Sequence, residues 1–300
     1  MNRHLPDTRG GLVAIVGRPN VGKSTLMNRL IGQKLSITAH KPQTTRHRIL
    51  GIHTDGDCQV VYVDTPGIHV GGSRQLNQVL NRTAAGALQD VTLILLLVQA
   101  PHWNEDDQRA FDLVKGAGID FLLVVNKIDR IRRKQDMLPY LQTLPAHERL
   151  AEVLLISARS GSGVDALHAA IRSRMPASEW HYSADQLTDR SMRFLASEAV
   201  REQLTRQLSA ELPYALSVDV ETWEETAALI SIGAVVWVEK ASQKGIVVGK
   251  GGERLKSVGM RARQSLEVLY GKQVFLKLWV RVKSGWADDE RALRSLGYEG

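Results

Sequence analysis

The sequence predicts an α/β domain with a mostly parallel sheet, followed by a smaller α+β domain. Three observations carry this. The chain has 300 residues, more than one ordinary core organises. In the first half, apolar runs of strand length alternate with helical patterns, the order of a parallel sheet. In the second half the patterns run helix, strand, strand, helix, helix, strand.

Composition sets bounds. The chain is 43% hydrophobic and 24% charged, the balance of a globular protein. Cys58 is the sole cysteine, so no internal disulfide forms, and no His/Cys cluster has zinc-site spacing. The net charge of +7 and the pI near 9.6 favour an anionic partner, either nucleic acid or a membrane surface. The longest apolar run of the middle, "LILLLV" (residues 93–98), is far short of the roughly 20 residues of a spanning helix. It reads as a strand buried on both faces. The opening "MNRHLPDTRGG" lacks the apolar core of a secretory signal. A cytoplasmic protein is expected.

The first motif is "LVAIVGRPNVGKSTLMNRLIG", residues 12–32. A short apolar strand feeds the turn Gly17-x-x-x-x-Gly22-Lys23-Ser24, and a helical pattern follows with Leu26, Leu30 and Ile31. This is a phosphate-binding loop. Gly17 and Gly22 let the backbone curl so that successive N–H groups meet phosphate oxygens. Lys23 bridges the β- and γ-phosphates, Ser24 ligates Mg²⁺, and the helix adds its positive end. Arg18, Pro19, Asn20, Val21 and Thr25 complete the predicted cradle. In "VVYVDTPGI" a strand carries Asp64 to its carboxyl end, where ligands of open α/β sheets bind. Asp64 is assigned to Mg²⁺ through a bound water, and Gly67 N–H to the γ-phosphate, with Thr65 and Pro66 beside them.

The strand of "DFLLVVNKID" ends at Asn126-Lys127-Ile128-Asp129. The Asp129 carboxylate can accept from N1–H and N2–H₂ of guanine, donors that adenine lacks. "VLLISARSGSGVDAL" then brings a strand to Ser157-Ala158, whose backbone N–H groups suit guanine O6. Between the first two motifs, "ITAHKPQTTRHRILGI" is polar and basic. Thr44 and Thr45 are its candidate Mg²⁺ ligands.

"GRPNVGKS", "DTPG", "NKID" and "SAR", in that order, resemble a GTPase domain of the translation-factor-like class. The resemblance covers residues 8–175. It makes the segment holding Thr44 and Thr45 the first switch, and it favours Thr45 because related "TTR" switches use the second threonine. The position that carries a water-orienting glutamine in Ras-like enzymes is Ile68 here, so no side-chain general base is named. Potassium-activated members place an asparagine at the position of Asn20. Asn20 therefore stands as a K⁺ ligand or as a turn residue. Lys23, Thr45, Gly67 and Asn20 form the expected catalytic set.

Residues 176–190, with Pro176 and several Ser and Asp, are expected to form a linker. Ser191 or Asp189 can cap the next helix, whose apolar face is Phe194, Leu195, Val200, Leu204 and Leu208. A second glycine loop follows in "IVVGKGGERLKSVG". No Gly-Lys-Ser/Thr is present, so it is no second phosphate cradle of the first kind. Gly249-Lys250-Gly251-Gly252 between two helices is the Gly-x-x-Gly of a KH module, which clamps about four nucleotides of a single strand. Arg254, Lys256 and Arg261 are expected beside the RNA. From 240 to 283 eleven Lys and Arg stand against Glu253 and Glu267, a net +9.

A GTPase domain followed by a KH domain (residues 191–300), together with "QTTRHRILGIHT" and the ending "VKSGWADDERALRSLGY", resembles the Era family of bacterial ribosome-assembly GTPases over essentially the whole length. The resemblance implies GTP/GDP and Mg²⁺ as cofactors. It also implies binding of single-stranded RNA near the 3′ end of 16S rRNA, a role in small (30S) subunit maturation, a monomer, and association with the inner membrane face. Two other readings compete: an RNA-binding scaffold whose nucleotide site does not turn over, and a P-loop ATPase, which Asp129 opposes.

Overall fold

The computed structural model describes residues 7–39, 41, 44–65, 86, 88, 90–131, 135, 137–209 and 212–286. Pro66, Gly67, Ile68 and the acidic tail 288–290 lie outside the described residues. Two compact units emerge. Among the described residues, one holds 7–36, 45–65 and 86–189, and the other holds 37–44 and 190–286.

The first unit is a six-stranded sheet in the order β2-β3-β1-β4-β5-β6. Its strands are β1 (Arg9–Val16), β2 (Ile49–Asp55), β3 (Cys58–Asp64), β4 (Leu93–Gln99), β5 (Phe121–Asn126) and β6 (Leu150–Leu155). Only β2 runs antiparallel, beside β3. The helices are α1 (Lys23–Ile31), α2 (Glu105–Ala117), α3 (Met137–Gln142) and α4 (Val164–Arg172). The apolar runs become strands because both faces are covered. Residues 94–98 of β4 and 121–125 of β5 are fully buried, where an alternating pattern would have left one face wet. Successive strands β3 and β4 flank β1 on opposite sides. The chain reverses direction of growth there, and a crevice opens at the carboxyl end of β1. Residues 176–190, expected as a linker, form no helix or strand. They are tied to the first unit by bridges Arg9↔Ala177 and Gly51↔Thr188 and by Gln59, which accepts from the His181 and Tyr182 N–H groups at 3.0 Å each.

The second unit has the order α-β-β-α-α-β: α5 (Met192–Gln207), β7 (Leu216–Glu225), β8 (Leu229–Val238), α6 (Ala241–Val248), α7 (Glu253–Tyr270) and β9 (Gln273–Val282). The Ser191 side chain caps α5 by accepting from Phe194 N–H, while Asp189 accepts from Leu50 N–H instead. The sheet order is β7-β8-β9, with β8 and β9 parallel. Val200, Leu204, Val247, Val258 and Ala262 from the helices meet Val236, Val238 and Val280 from the sheet in one core. Strand residues of the opposite parity, among them Phe275, Lys277 and Trp279, stand on the other face.

The polar side of α5 is buried as well. Glu198, Arg201, Glu202 and Gln203 are all under 5% exposed, because Thr38, Lys41 and Thr44 belong to this unit and bond to the helix and its end. Glu202 Oε1 accepts from Thr38 N–H at 3.0 Å and Thr38 Oγ1 at 3.2 Å. Arg206 donates to Thr38 O at 3.1 Å and to Glu202 at 2.9 Å. Arg201, paired with Glu198 at 2.6 Å, donates to Thr44 O. Lys41 donates to Leu208 O.

Candidate functional site

The crevice at the end of β1 holds the first glycine loop. Gly17 and Gly22 have φ of +155° and +111°, and Asn20 has +61°. A Cβ on Gly22 would stand 2.4 Å from Asn126 Nδ2, and one on Gly17 2.3 Å from Leu97 O. Only glycine fits both conformation and space. Inside the curl, Lys23 Nζ donates to Gly17 O at 2.9 Å and Arg18 O at 3.0 Å. Burial pulls its ammonium down to about 8, against the opposing pull of Asp64. Arg18 turns away from the curl and pairs with buried Asp107 at 2.9 Å. Asp107 is also half of the capping box that starts α2, so the crest of the loop is fastened to that helix.

Asp64 is fully buried at the end of β3. Its Oδ2 accepts from Ser24 Oγ at 2.7 Å, Ser36 Oγ at 2.7 Å and Thr45 Oγ1 at 3.4 Å. Ser24 and Thr45 hydroxyls are themselves 2.8 Å apart. Asp64 Oδ1 has no hydrogen-bond partner. Burial pushes the carboxyl above its ordinary value, opposed by the Ser36 and Ser24 hydroxyls and by Lys23. Of the two threonines expected in the first switch, Thr45 faces this centre, whereas the Thr44 hydroxyl donates to Lys41 O at 2.6 Å. The Thr65 hydroxyl is turned to Ile15 O at 3.0 Å and holds β1 to β3.

The other motifs are pinned to the loop. Asn126 Nδ2 donates to Val21 O at 2.9 Å, and its Oδ1 accepts from Ala158 N–H at 2.9 Å. Lys127, at φ +65°, donates to Asn20 O and Gln99 Oε1 at 2.6 Å each. Burial draws its ammonium down to about 8. Asp129 Oδ1 accepts from Ser157 Oγ at 2.6 Å. The amides named for guanine O6 are engaged inside the protein, Ser157 N–H with Ser162 O and Ala158 N–H with Asn126. Contact of either with a base oxygen would have to share or replace those bonds. From α1, Arg29 donates to Arg159 O at 2.6 Å and clamps the same loop. Ser36, Gln99, Arg29 and Asp107 were invisible to motif reading. Each lies outside the motifs and acts through tertiary contact.

In the second unit, α6 ends at the second glycine loop. Gly249, Gly251 and Gly252 have φ of +75°, +58° and +82°, which a side chain would strain. Lys250, Lys256 and Arg261 are exposed around it. Arg254 folds back, its guanidinium donating to Ile246 O at the end of α6.

Comparison with known proteins follows the same division. Residues 12–127 match the family described as 50S ribosome-binding GTPase, and residues 211–287 match the KH domain. A curated GTPase Era of Pseudomonas aeruginosa (strain LESB58) is 52% identical across 97% of this chain and 95% of its own. One of Coxiella burnetii (strain Dugway 5J108-111) is 50% identical across 98% and 100%. Among solved structures, Era in complex with MgGDPNP and nucleotides 1506–1542 of 16S ribosomal RNA superposes with a TM-score of 0.93 at 34% identity, covering 98% of this chain and all of that one. A point variant of Aquifex aeolicus Era bound to GDP.AlF4- gives the same figures. With half of its residues shared from end to end and both units matched, the chain belongs to the Era family of GTPases.

Proposed function

We propose that this GTPase is a nucleotide-controlled switch of small-subunit assembly that holds single-stranded 16S rRNA near its 3′ end against the loop 249–252. The observation that carries the nucleotide half is Asp64, a buried carboxylate with one oxygen unpartnered and the other holding three hydroxyls, near a lysine. A bare buried carboxylate oxygen is costly. Hard oxygen donors of this kind suit Mg²⁺. In this reading Ser24 and Thr45 ligate the ion and Asp64 holds one of its waters. Bound there, it would neutralise charge growing on the β- and γ-phosphate oxygens.

The protein's own groups do the rest. Lys23 exchanges its two carbonyl acceptors for phosphate oxygens and recovers full charge. The amides of residues 17–25 cradle the phosphates. Asn126 braces the loop, Lys127 covers the base, and Asp129 accepts from the guanine edge. Gly67 N–H is assigned to the γ-phosphate. Asn20 is assigned as a K⁺ ligand, its backbone held by Lys127, and turnover is expected to rise when K⁺ replaces Na⁺. The RNA half is supported by Gly-x-x-Gly between α6 and α7, by the local positive charge, and by the RNA complex of the relative. Control of one by the other is supported by the chain itself. Residues 37–44 fold with the second unit, and the next residue, Thr45, stands at Asp64.

The matched relatives and the absence, among the described residues, of a helix long and apolar enough to cross a membrane accord with a cytoplasmic factor. Contact with the inner membrane face would rest on basic charge alone. The test is RNA binding by the full chain loaded with GDP or a non-hydrolysable GTP analogue, with Gly251→Asp/Gly252→Asp as control. A preference for one state that the variant loses supports the switch. Equal affinity in both states removes it.

A further inference from the structure

We infer that the outer face of β9 is a second RNA surface, a stacking platform that takes nucleotides beyond those held at the glycine loop. It rests on the proposed reading that the second unit binds single-stranded RNA.

The face is the one turned away from α5, α6 and α7. Val274, Leu276, Leu278 and Val280 point into the helical core. Phe275, Lys277, Trp279 and Arg281 alternate with them and point outward. Phe275 is 57% exposed and Trp279 37%. Large rings left wet on a strand edge cost solvation, and a lone apolar ring would need no comment. Here two rings alternate with two cations, and a third cation, Lys283, follows. Lys277 Nζ lies 5.5 Å from the Trp279 ring centre, and Arg281 and Lys283 lie 5.8 and 6.0 Å from that of Trp237 on β8. Such cations neutralise phosphates while rings receive bases, the combination found in single-strand binders.

A second observation shows that the platform is built. Gly233 on β8 pairs with Lys277. A Cβ there would stand 2.9 Å from the Trp279 ring and 2.3 Å from Thr222 Oγ1. Glycine in a strand interior weakens it and marks a close approach. Here the approach is that of the indole, which lies across the glycine and so is held against the sheet. Phe275 and Trp279 are four residues apart on one face, about 13 Å, a span that an extended strand covers with two to three nucleotides. Charge selects the occupant. The outward charges on β9, Lys277 and Arg281, are positive, as is Lys283 just beyond it, whereas the carboxylates of this face, Asp219, Glu221 and Glu224, stand on β7 across β8, with Glu221 paired to Arg281 at 2.6 Å. An acidic polymer with flat bases fits. A KH cleft holds only about four nucleotides, so a longer RNA needs another surface.

The experiment compares two RNAs from the 3′ end of 16S rRNA, of about four and about twelve nucleotides, by fluorescence anisotropy on the full chain. The variants are Phe275→Ala/Trp279→Ala, the ring-preserving Phe275→Tyr/Trp279→Phe, and Gly251→Asp/Gly252→Asp. Far-UV circular dichroism and GTP hydrolysis confirm that each is folded. The expected result is a loss of about tenfold or more for the longer RNA in the alanine variant, from stacking on two rings. The shorter RNA binds it within about twofold of wild type, and the ring-preserving variant binds both normally. The proposal is overturned if the alanine variant binds the longer RNA as wild type does. Equal loss on both lengths overturns it too, as does a ring-preserving variant as weak as the alanine one. The two readings fail separately. If the glycine-loop variant binds normally while the ring variant loses the longer RNA, the loop reading falls and the platform stands.

Discussion

Glu202→Ala should loosen the segment that leads to Thr45 without unfolding the protein. The Glu202 carboxylate is fully buried on α5 and accepts from Thr38 N–H, Thr38 Oγ1 and Arg206. Hydrogen bonds to a charged acceptor contribute about 1.5–3 kcal/mol each. Arg206 is 46% exposed, so its share is largely returned by water and counts for little. Thr38 is half-buried, and its freed N–H and hydroxyl regain part of their solvation when the segment lifts. The net loss for local opening of residues 37–44 comes to about 2 kcal/mol, roughly thirtyfold in the open fraction. Native-state hydrogen exchange at the Thr38 amide reads it directly: protection falls about thirtyfold, while amides in the core of β4 and β5 keep theirs. Glu202→Gln, which keeps one acceptor, should fall between. Unchanged Thr38 protection in the alanine variant, with the protein folded, would refute the claim that this carboxylate holds the switch segment.

Three further outcomes follow from the geometry. Gly22→Ala places a methyl against Asn126 Nδ2 at a φ of +111°, so it should break the Asn126–Val21 bond and lower GTP affinity by tenfold or more, about the 1–3 kcal/mol of a strained residue; equilibrium binding measures this. Asp129→Asn should cost GTP about a hundredfold in affinity from two lost charged hydrogen bonds, with ATP unaffected, and equal losses for both nucleotides would remove guanine recognition from this residue. Lys23 ionises near 10.5 when unfolded and at about 8 in the folded chain, so the folded state binds fewer protons between those values. The contribution of Lys23 to the stability of the nucleotide-free protein should therefore rise with pH from 8 towards 10.5, read as the difference between wild type and Lys23→Met, because buried Cys58, Tyr62, Tyr140 and Tyr270 pull the other way. Phosphates favour the charged form, so GTP binding at pH 8 should take up protons, seen by calorimetry in two buffers of different ionisation enthalpy. Lys127 shifts the same way, and a Lys127→Met control isolates the Lys23 part. Absence of uptake in that control would contradict a buried Lys23 whose ammonium is drawn down to about 8.

The sequence announced those parts of the site whose chemistry demands fixed residue types at fixed spacing. Gly17, Gly22, Lys23 and Ser24 are contiguous because one turn does the work, and Asp64 and Asn126 each end a buried apolar strand. The element order of the second unit was equally legible from alternating periods. What stayed hidden was held by side chains distant in sequence. The polar side of α5 reads as a solvated face, yet Glu198, Arg201 and Glu202 are buried there, bonded to Thr38 and Thr44, partners some 160 positions away that no periodicity encodes. Ser36 hydrogen-bonds Asp64 from within "KLSITAH", where nothing marks it. Arg18 reads as a phosphate contact by position, and only the fold reveals Asp107 waiting for it.

The strand order has a consequence during synthesis. β1 is interior, between β3 and β4, and the glycine loop follows it directly. Once β3 has left the ribosome, the loop, Ser24 and Asp64 are present on one side of β1, and the phosphate half of the site can be assembled. The base half cannot. Asn126 must reach Val21 and Ala158 must reach Asn126, so the nascent chain acquires the residues proposed for the base some hundred residues later. A chain stalled between these points would carry the residues proposed for the phosphates without those proposed for the base.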